Sequence, residues 1–136
     1  MAATLKLEIV TPEAKVYSED VDMVTLPGLE GEMGIYPLHV PLMTQIKAGE
    51  IAVRKGGQDY FLAVGDGFVQ ITGDKVAILT DMAIRADHID EAKAEEARQR
   101  AEARLTEKLT DEEIASVQAS LLHSLAQLHV KRRQRR

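Results

Sequence analysis

Residues 26–43 read LPGLEGEMGIYPLHVPLM. Three glycines at three-residue intervals (Gly28, Gly31, Gly34) stand among three prolines (Pro27, Pro37, Pro41), with Glu30, Glu32 and His39 between them. A glycine-rich backbone can wrap a phosphate with its amides, or it can form a sharply shaped surface that docks a protein. The phosphate chemistry needs G-x-x-x-x-G-K-[ST], or G-x-G-x-x-G opening a helix, and neither pattern is present. Glu30 and Glu32 would also repel a phosphate. The spacing fits a strand-to-strand loop that must turn sharply: a plain turn, or a docking loop with carboxylates at its tip.

Other reactive side chains assemble into nothing comparable. The four histidines (His39, His88, His123, His129) include no H-E-x-x-H pair, and His123 and His129, six apart, fall on different helix faces. No Ser/His/Asp set and no carboxylate pair stands out. With no cysteine in the chain, disulfides, thiolate catalysis and cysteine-bound zinc are excluded. The residues weigh against an enzyme. The run KRRQRR (131–136) is a basic tip of the kind that meets nucleic acid or anionic lipid. No aromatic interleaves it and the chain is acidic overall, which argues against nucleic acid.

The charge is uneven. Of a net −5, residues 1–86 carry −5, residues 87–113 carry −5 and residues 114–136 carry +5. An acidic body with a basic tip suits an acidic partner for that tip. No apolar run reaches the eighteen or so residues of a membrane-spanning helix. The start, MAATLKLEIV, lacks a basic segment followed by a long apolar core, so no secretory signal is expected.

The elements that must position these residues divide near residue 86. Every glycine, proline and aromatic lies at or before Gly73. Short strands are expected at 4–10, 21–26, 50–55, 59–64, 68–72 and 75–80, with turn signals at Gly56-Gly57, Gly65-Asp66-Gly67 and Gly73-Asp74. This spacing indicates a sandwich or barrel. From Asp87 to Leu109, Ala94, Ala97, Ala101, Leu105 and Leu109 mark one helix face. Thr110-Asp111-Glu112-Glu113 is a capping box opening a second helix, with its stripe at Ile114, Val117, Leu121, Leu125 and Leu128. The short connection predicts an antiparallel hairpin. Its first helix offers mainly alanine, so it should dock with modest energy: either a detachable element or a merely stable appendage.

Across nearly its whole length the sequence resembles the ε-subunit family of bacterial and chloroplast rotary ATP synthases (the δ subunit in mitochondria). The strongest stretch is GLEGEMGIYPLHVPLMTQIKAGEI (28–51), similar to the family's G-x-x-G-x-x-G-I-x-P-x-H-x-P-L signature; FLAVGDGFVQITGDKVAIL (61–79) is also family-like. Leu38 departs from the pattern, since the family often has glycine before the histidine. The resemblance implies a β-plus-α fold: a ten-stranded β-sandwich (1–86) that docks on the rotor, then a C-terminal antiparallel two-helix hairpin (87–136) that regulates.

The implied role is a non-catalytic central-stalk subunit, coupling the γ subunit to the membrane c-ring and restraining ATP hydrolysis. Glu30 and Glu32 match positions facing the c-ring; His39 and Thr44 match positions facing γ. Extended, the hairpin would meet the α and β catalytic subunits, with Lys131, Arg132 and Arg133 as the inhibitory tip and Arg135 and Arg136 continuing it. No cofactor is required, but some members bind regulatory ATP through I-D-x-x-R-A. Here that run is Ile89-Asp90-Glu91-Ala92-Lys93-Ala94, and lysine lacks the bidentate fork of arginine. The expected location is peripheral, on the cytoplasmic face of a bacterial plasma membrane or the stromal face of a thylakoid. The alternatives are a purely structural stalk subunit whose hairpin never extends, and a stand-alone β-sandwich binding module.

Overall fold

The computed structural model describes residues 3–134; Arg135 and Arg136 lie outside them. Ten strands come first: β1 (Leu5–Val10), β2 (Lys15–Val21), β3 (Met23–Gly28), β4 (Gly31–Ile35), β5 (His39–Ile46), β6 (Gly49–Lys55), β7 (Gln58–Val64), β8 (Gly67–Gly73), β9 (Lys75–Thr80) and β10 (Ala83–Arg85). They pair in the order β10-β7-β6-β3-β5-β8-β9-β1-β2, with β4 on β3. The sheet curls into a nearly closed sandwich. Its edges meet where Glu19 of β2 pairs with both Lys55 of β6 and Arg85 of β10. Inside lies one apolar core that includes Leu7, Ile9, Val24, Leu26, Ile51, Leu62, Val69 and Ile78.

The strands arise from period-two alternation. In β1, Leu5, Leu7 and Ile9 are buried while Lys6 is exposed, as one inward face requires. Gly56-Gly57, both with positive φ, close the β6–β7 hairpin. β1 runs parallel to β9, from Lys6↔Lys75 to Val10↔Leu79, and antiparallel to β2.

The glycine-rich stretch is not one long loop. It folds as the β3–β4 hairpin, from Val24↔Ile35 to Gly28↔Gly31, and continues into β5. Only Leu29 and Glu30 form the turn. Gly31, at φ 130°, takes a conformation closed to side chains that carry a β-carbon.

After a short 3-10 turn (Ala86–His88), α1 spans Glu91–Arg104 and α2 spans Asp111–Gln134. The first helix is shorter than its alanine periodicity predicts. It starts only where the Asp90 side chain accepts from the Lys93 amide at 3.1 Å. The capping box forms as its sequence indicates. The Glu113 amide donates to Thr110 Oγ1, and the Thr110 amide donates back to Glu113 Oε1, each at 3.2 Å. The helices are antiparallel, with Arg132 reaching Glu91 and Glu95 at one end and Arg104 reaching Glu113 at the other.

The hairpin lies on the outer surface of the sheet. Ala126 and Val130 of α2 pack with Ala63, Ala86 and Ile89, flanked by Phe61, Met82 and Ile84. β7 is therefore covered on both faces near its end: Leu62 and Val64 point into the sandwich and Ala63 points to α2. Leu125, expected on the buried stripe, is instead 42% exposed, and Ser124, Ala126, Leu128 and Val130 are buried. The stripe differs because α2 is packed between a sheet and a second helix, which takes more than one line of side chains.

Candidate docking surfaces

Three surfaces stand out, two of which carry side chains singled out by sequence. The first is the turn at 28–32. Glu30 sits at its tip and Glu32 follows on β4 opposite Pro27; both are exposed. Gly28, Leu29, Met33 and Thr44 line a shallow recess around the turn. Thr44 pairs with Val69, whose side chain is fully buried, so Thr44 lies on the inward face and is half-buried. His39 is half-buried at the start of β5, where it pairs in register with Gly73, and its Nδ1 lies 2.6 Å from the Val40 carbonyl oxygen.

The second is apolar and bare. Sequence reasoning did not mark it. Phe68 stands between Gln45 and Leu79 in the β5–β8–β9 register, and Met43 is diagonal to it. Met43 is 67% exposed, Phe68 50% and Leu79 56%, and at the adjoining turn Tyr36, Leu38 and Val40 are exposed as well. Leu38 has φ 65°, a left-handed conformation that costs a β-carbon residue about 1–2 kcal/mol. The position where the resembled family often has glycine is thus one whose backbone favours glycine. The readable signal was a strand, HVPLMTQI, with apolar residues on both faces and only one face able to enter the core.

The third is the contact between the basic end of α2 and the sheet. Lys131 Nζ donates to the Ala86 carbonyl at 3.2 Å. Arg132 Nε donates to Glu91 Oε1 at 3.1 Å and Nη2 to Glu95 Oε2 at 3.3 Å. Arg133 Nη1 donates to Glu50 Oε1 at 2.6 Å, and its guanidinium lies 5.0 Å from the Phe61 ring centre. All three cations of the expected inhibitory tip are thus engaged within the chain. Glu50 is directly across from Ala63, on the face that α2 covers. Its side chain is 11% exposed. Burial pushes its carboxyl above the ordinary range, against the pull of Arg133 and His129 and with the push of Glu32. Higher along α2, His123 Nε2 lies 3.1 Å from Asp81 Oδ2 above Gly65, where a β-carbon would collide with both side chains.

A cleft of about 1390 Å³ runs between α2 and the sheet, lined by Lys55, Arg85, Arg98, Arg132 and Arg133 among others. Among the described residues each of these cations has a carboxylate partner. None of the candidate ATP residues lines it. Ile89 is buried between hairpin and sheet, Asp90 caps α1, Ala94 is buried and Lys93 is exposed. No group of His, Cys, Asp and Glu suited to a metal occurs among the described residues. Nor is any described helix long and apolar enough to cross a membrane.

The molecule is thus of the class in which a β-sandwich carries an antiparallel helical hairpin on its outer face. The family described as "ATP synthase, Delta/Epsilon chain, beta-sandwich domain" matches residues 4–86, and "ATP synthase, Delta/Epsilon chain, long alpha-helix domain" matches 87–132. The chain belongs to the ATP synthase delta/epsilon chain family. Similar curated proteins include an "ATP synthase epsilon chain" from Dehalococcoides mccartyi, 45% identical over 135 residues, covering 98% of this chain and 96% of the relative. "ATP synthase epsilon chain 2" from Syntrophotalea carbinolica is 45% identical over 131 residues, covering 96% and 95%. Among solved structures, a chain of the Euglena gracilis mitochondrial ATP synthase (OSCP/F1/c-ring, rotational state 1) superposes with a TM-score of 0.74 at 23% identity, covering 91% of this chain and 79% of its own. One from the Tetrahymena thermophila mitochondrial ATP synthase central stalk/c-ring gives 0.54 at 12%, covering 64% and 70%. At these identities the two structures speak for the fold.

Proposed function

We propose that this chain is a non-catalytic rotor subunit of a proton-translocating ATP synthase, joining the central stalk to the c-ring and restraining ATP hydrolysis through its hairpin. The observation that carries the docking half is the bare apolar surface of Met43, Phe68 and Leu79 continuing into Leu38 and Val40, beside the carboxylate-tipped turn of Glu30 and Glu32. Exposed apolar area of this kind marks a protein interface. Its apolar part suits the γ subunit, with His39 at its margin, whereas Thr44, on the inward face, would meet a partner only through the recess beside the carboxylate turn. The carboxylates suit basic groups on the loops of a c-ring. The two structural neighbours, which belong to an F1/c-ring assembly and to a central stalk with c-ring, support this reading. Attachment to the membrane is through the complex, on the side where the catalytic α and β subunits stand.

The regulatory half rests on a hairpin held by small side chains and surface charge. Ala63, Ala86, Ala94, Ala101 and Ala126 are buried in its contacts, beside the larger Ile89, Val117, Leu128 and Val130. Each alanine contributes one methyl, against about 1.5–3 kcal/mol for a buried leucine. A purely structural stalk subunit is the second reading, favoured by the engagement of Lys131, Arg132 and Arg133 within the chain. Reconstitution of the complex with a chain ending at Ala86 separates the two. The regulatory reading expects retained assembly and raised ATPase activity. Assembly with unchanged ATPase activity establishes the structural subunit, and failure to bind γ overturns both.

A further inference from the structure

We propose that Glu50 makes docking of the hairpin conditional on Arg133: with Arg133 in place the carboxylate is tolerated beneath α2, and once Arg133 is drawn to a competing carboxylate Glu50 expels the helix. The inference deepens the switch reading above and rests on it only for its consequence in the assembled complex.

The argument begins with the face on which Glu50 stands. In β6, Ile51 and Val53 enter the sandwich core, so Glu50 and Ala52 point outward. Across the ladder Glu50 meets Ala63 and Ala52 meets Phe61, and this small-residue surface is where Ala126 and Val130 of α2 settle. A carboxylate here is anomalous. Side-chain exposure is 11%, and Oε2 is buried without a hydrogen-bond partner among the described residues. His129 Nε2, at 3.7 Å, is too far to supply one. Only Oε1 is satisfied, by Arg133. The other charged group facing it is Glu32, of the same sign.

The two partners are therefore unequal. Arg133 is 52% exposed, so solvent can serve it if Glu50 is lost. Glu50 is not so placed. If Arg133 leaves while α2 stays, a buried charge is left uncompensated, which costs far more than an exposed pair contributes. The raised carboxyl agrees: even with Arg133 present, burial outweighs attraction. An ordinary clamp would weaken equally from either side. This arrangement weakens only from the arginine side.

The test uses the full chain alone, so its failure and the failure of the stalk reading are distinguishable: no ATP synthase partner is present. The chain has no cysteine, so spin labels on Gln58→Cys of β7 and Gln118→Cys of α2, both exposed, report the docked and undocked populations by their separation. In that background Arg133→Gln is expected to shift the docked-to-undocked ratio towards undocked by roughly tenfold or more. Glu50→Gln is expected to leave the ratio unchanged or raise it. The double variant is expected to return most of the docking lost in Arg133→Gln, which a fold defect could not do. Undocking by Glu50→Gln comparable to that of Arg133→Gln overturns the proposal, as does a double variant no better docked than Arg133→Gln.

Discussion

Arg133, near the end of α2, bonds Glu50 on β6 across 83 positions of sequence at 2.6 Å. Glu91 and Glu95 receive Arg132 from the neighbouring position of the same helix turn. The positive charge that composition assigns to an outside partner is therefore engaged within the chain in this conformation, Arg133 with the sandwich and Arg132 with the other helix of the hairpin. A partner that recruits these cations must first take them from Glu50, Glu91 and Glu95.

One prediction concerns pH. The docked state holds the Glu50 carboxyl above its ordinary 4.5, burial being the first cause, opposed by Arg133 and His129 and reinforced by Glu32. A value raised on docking means the docked form binds the proton more tightly. Its contribution to docking is full below the ordinary value and lost as pH rises through the raised one. As pH falls towards the ordinary carboxylate value, the label distances should move towards the docked population. Glu50→Gln should reduce that movement. An undiminished response in Glu50→Gln rules Glu50 out as its source.

A second concerns Leu38, which is 80% exposed at φ 65°. Leu38→Gly relieves about 1–2 kcal/mol of backbone strain. It returns roughly 0.5–1 kcal/mol through the freedom of glycine in the unfolded chain. The melting temperature should hold or rise slightly. Affinity for isolated γ subunit, measured by titration calorimetry, should fall severalfold. Unchanged affinity places Leu38 outside the interface.

Neutralising Lys131, Arg132 and Arg133 together with glutamine should undock the hairpin in the isolated chain and raise ATPase activity in the complex, the latter more visibly at low salt. Undocking without raised ATPase activity removes these three residues from the brake while leaving their place in the fold intact.

Any nucleotide binding at residues 89–94 would turn on Lys93. Titration of the isolated chain with ATP should give weak binding, since Asp90 is committed to capping α1 and Lys93 presents a point charge. Lys93→Arg should tighten it severalfold. Equal affinity in both chains removes residues 89–94 from any ATP site.

Particular residues explain which features the sequence disclosed. β6 to β9 are legible because Gly56-Gly57 and Gly73-Asp74 punctuate clean alternation. β2 carries Ser18-Glu19-Asp20 at a sheet edge, β4 has two glycines in five residues and β10 is three residues long, so none shows a pattern. β5 hides its strand character behind Pro41, which falls at the bulge between His39 and Leu42. Glu30, Glu32 and His39 stand out in the glycine- and proline-rich stretch itself, whereas Thr44 and the assignment of partners to all four come from the family resemblance. Glu50 was missed because a glutamate opening a strand looks solvent-facing. Its neighbours Ala52 and Ala63 held the signal: small apolar residues on an outward face announce something lying on top.

The parallel seam between β1 and β9 constrains how the chain reaches this shape. β1 and β2 can form a local hairpin, yet that hairpin has no place in the sheet until Lys75–Thr80 arrive to flank it. Contacts spanning that much chain slow the search for the native state. The surface beneath α2 joins β7 to the 82–89 segment, and the helix reaches β6 across a span as long, 83 positions from Glu50 to Arg133. Closure of the sandwich and its helical cover are therefore both long-range events, and a change in the β1–β9 seam should delay folding.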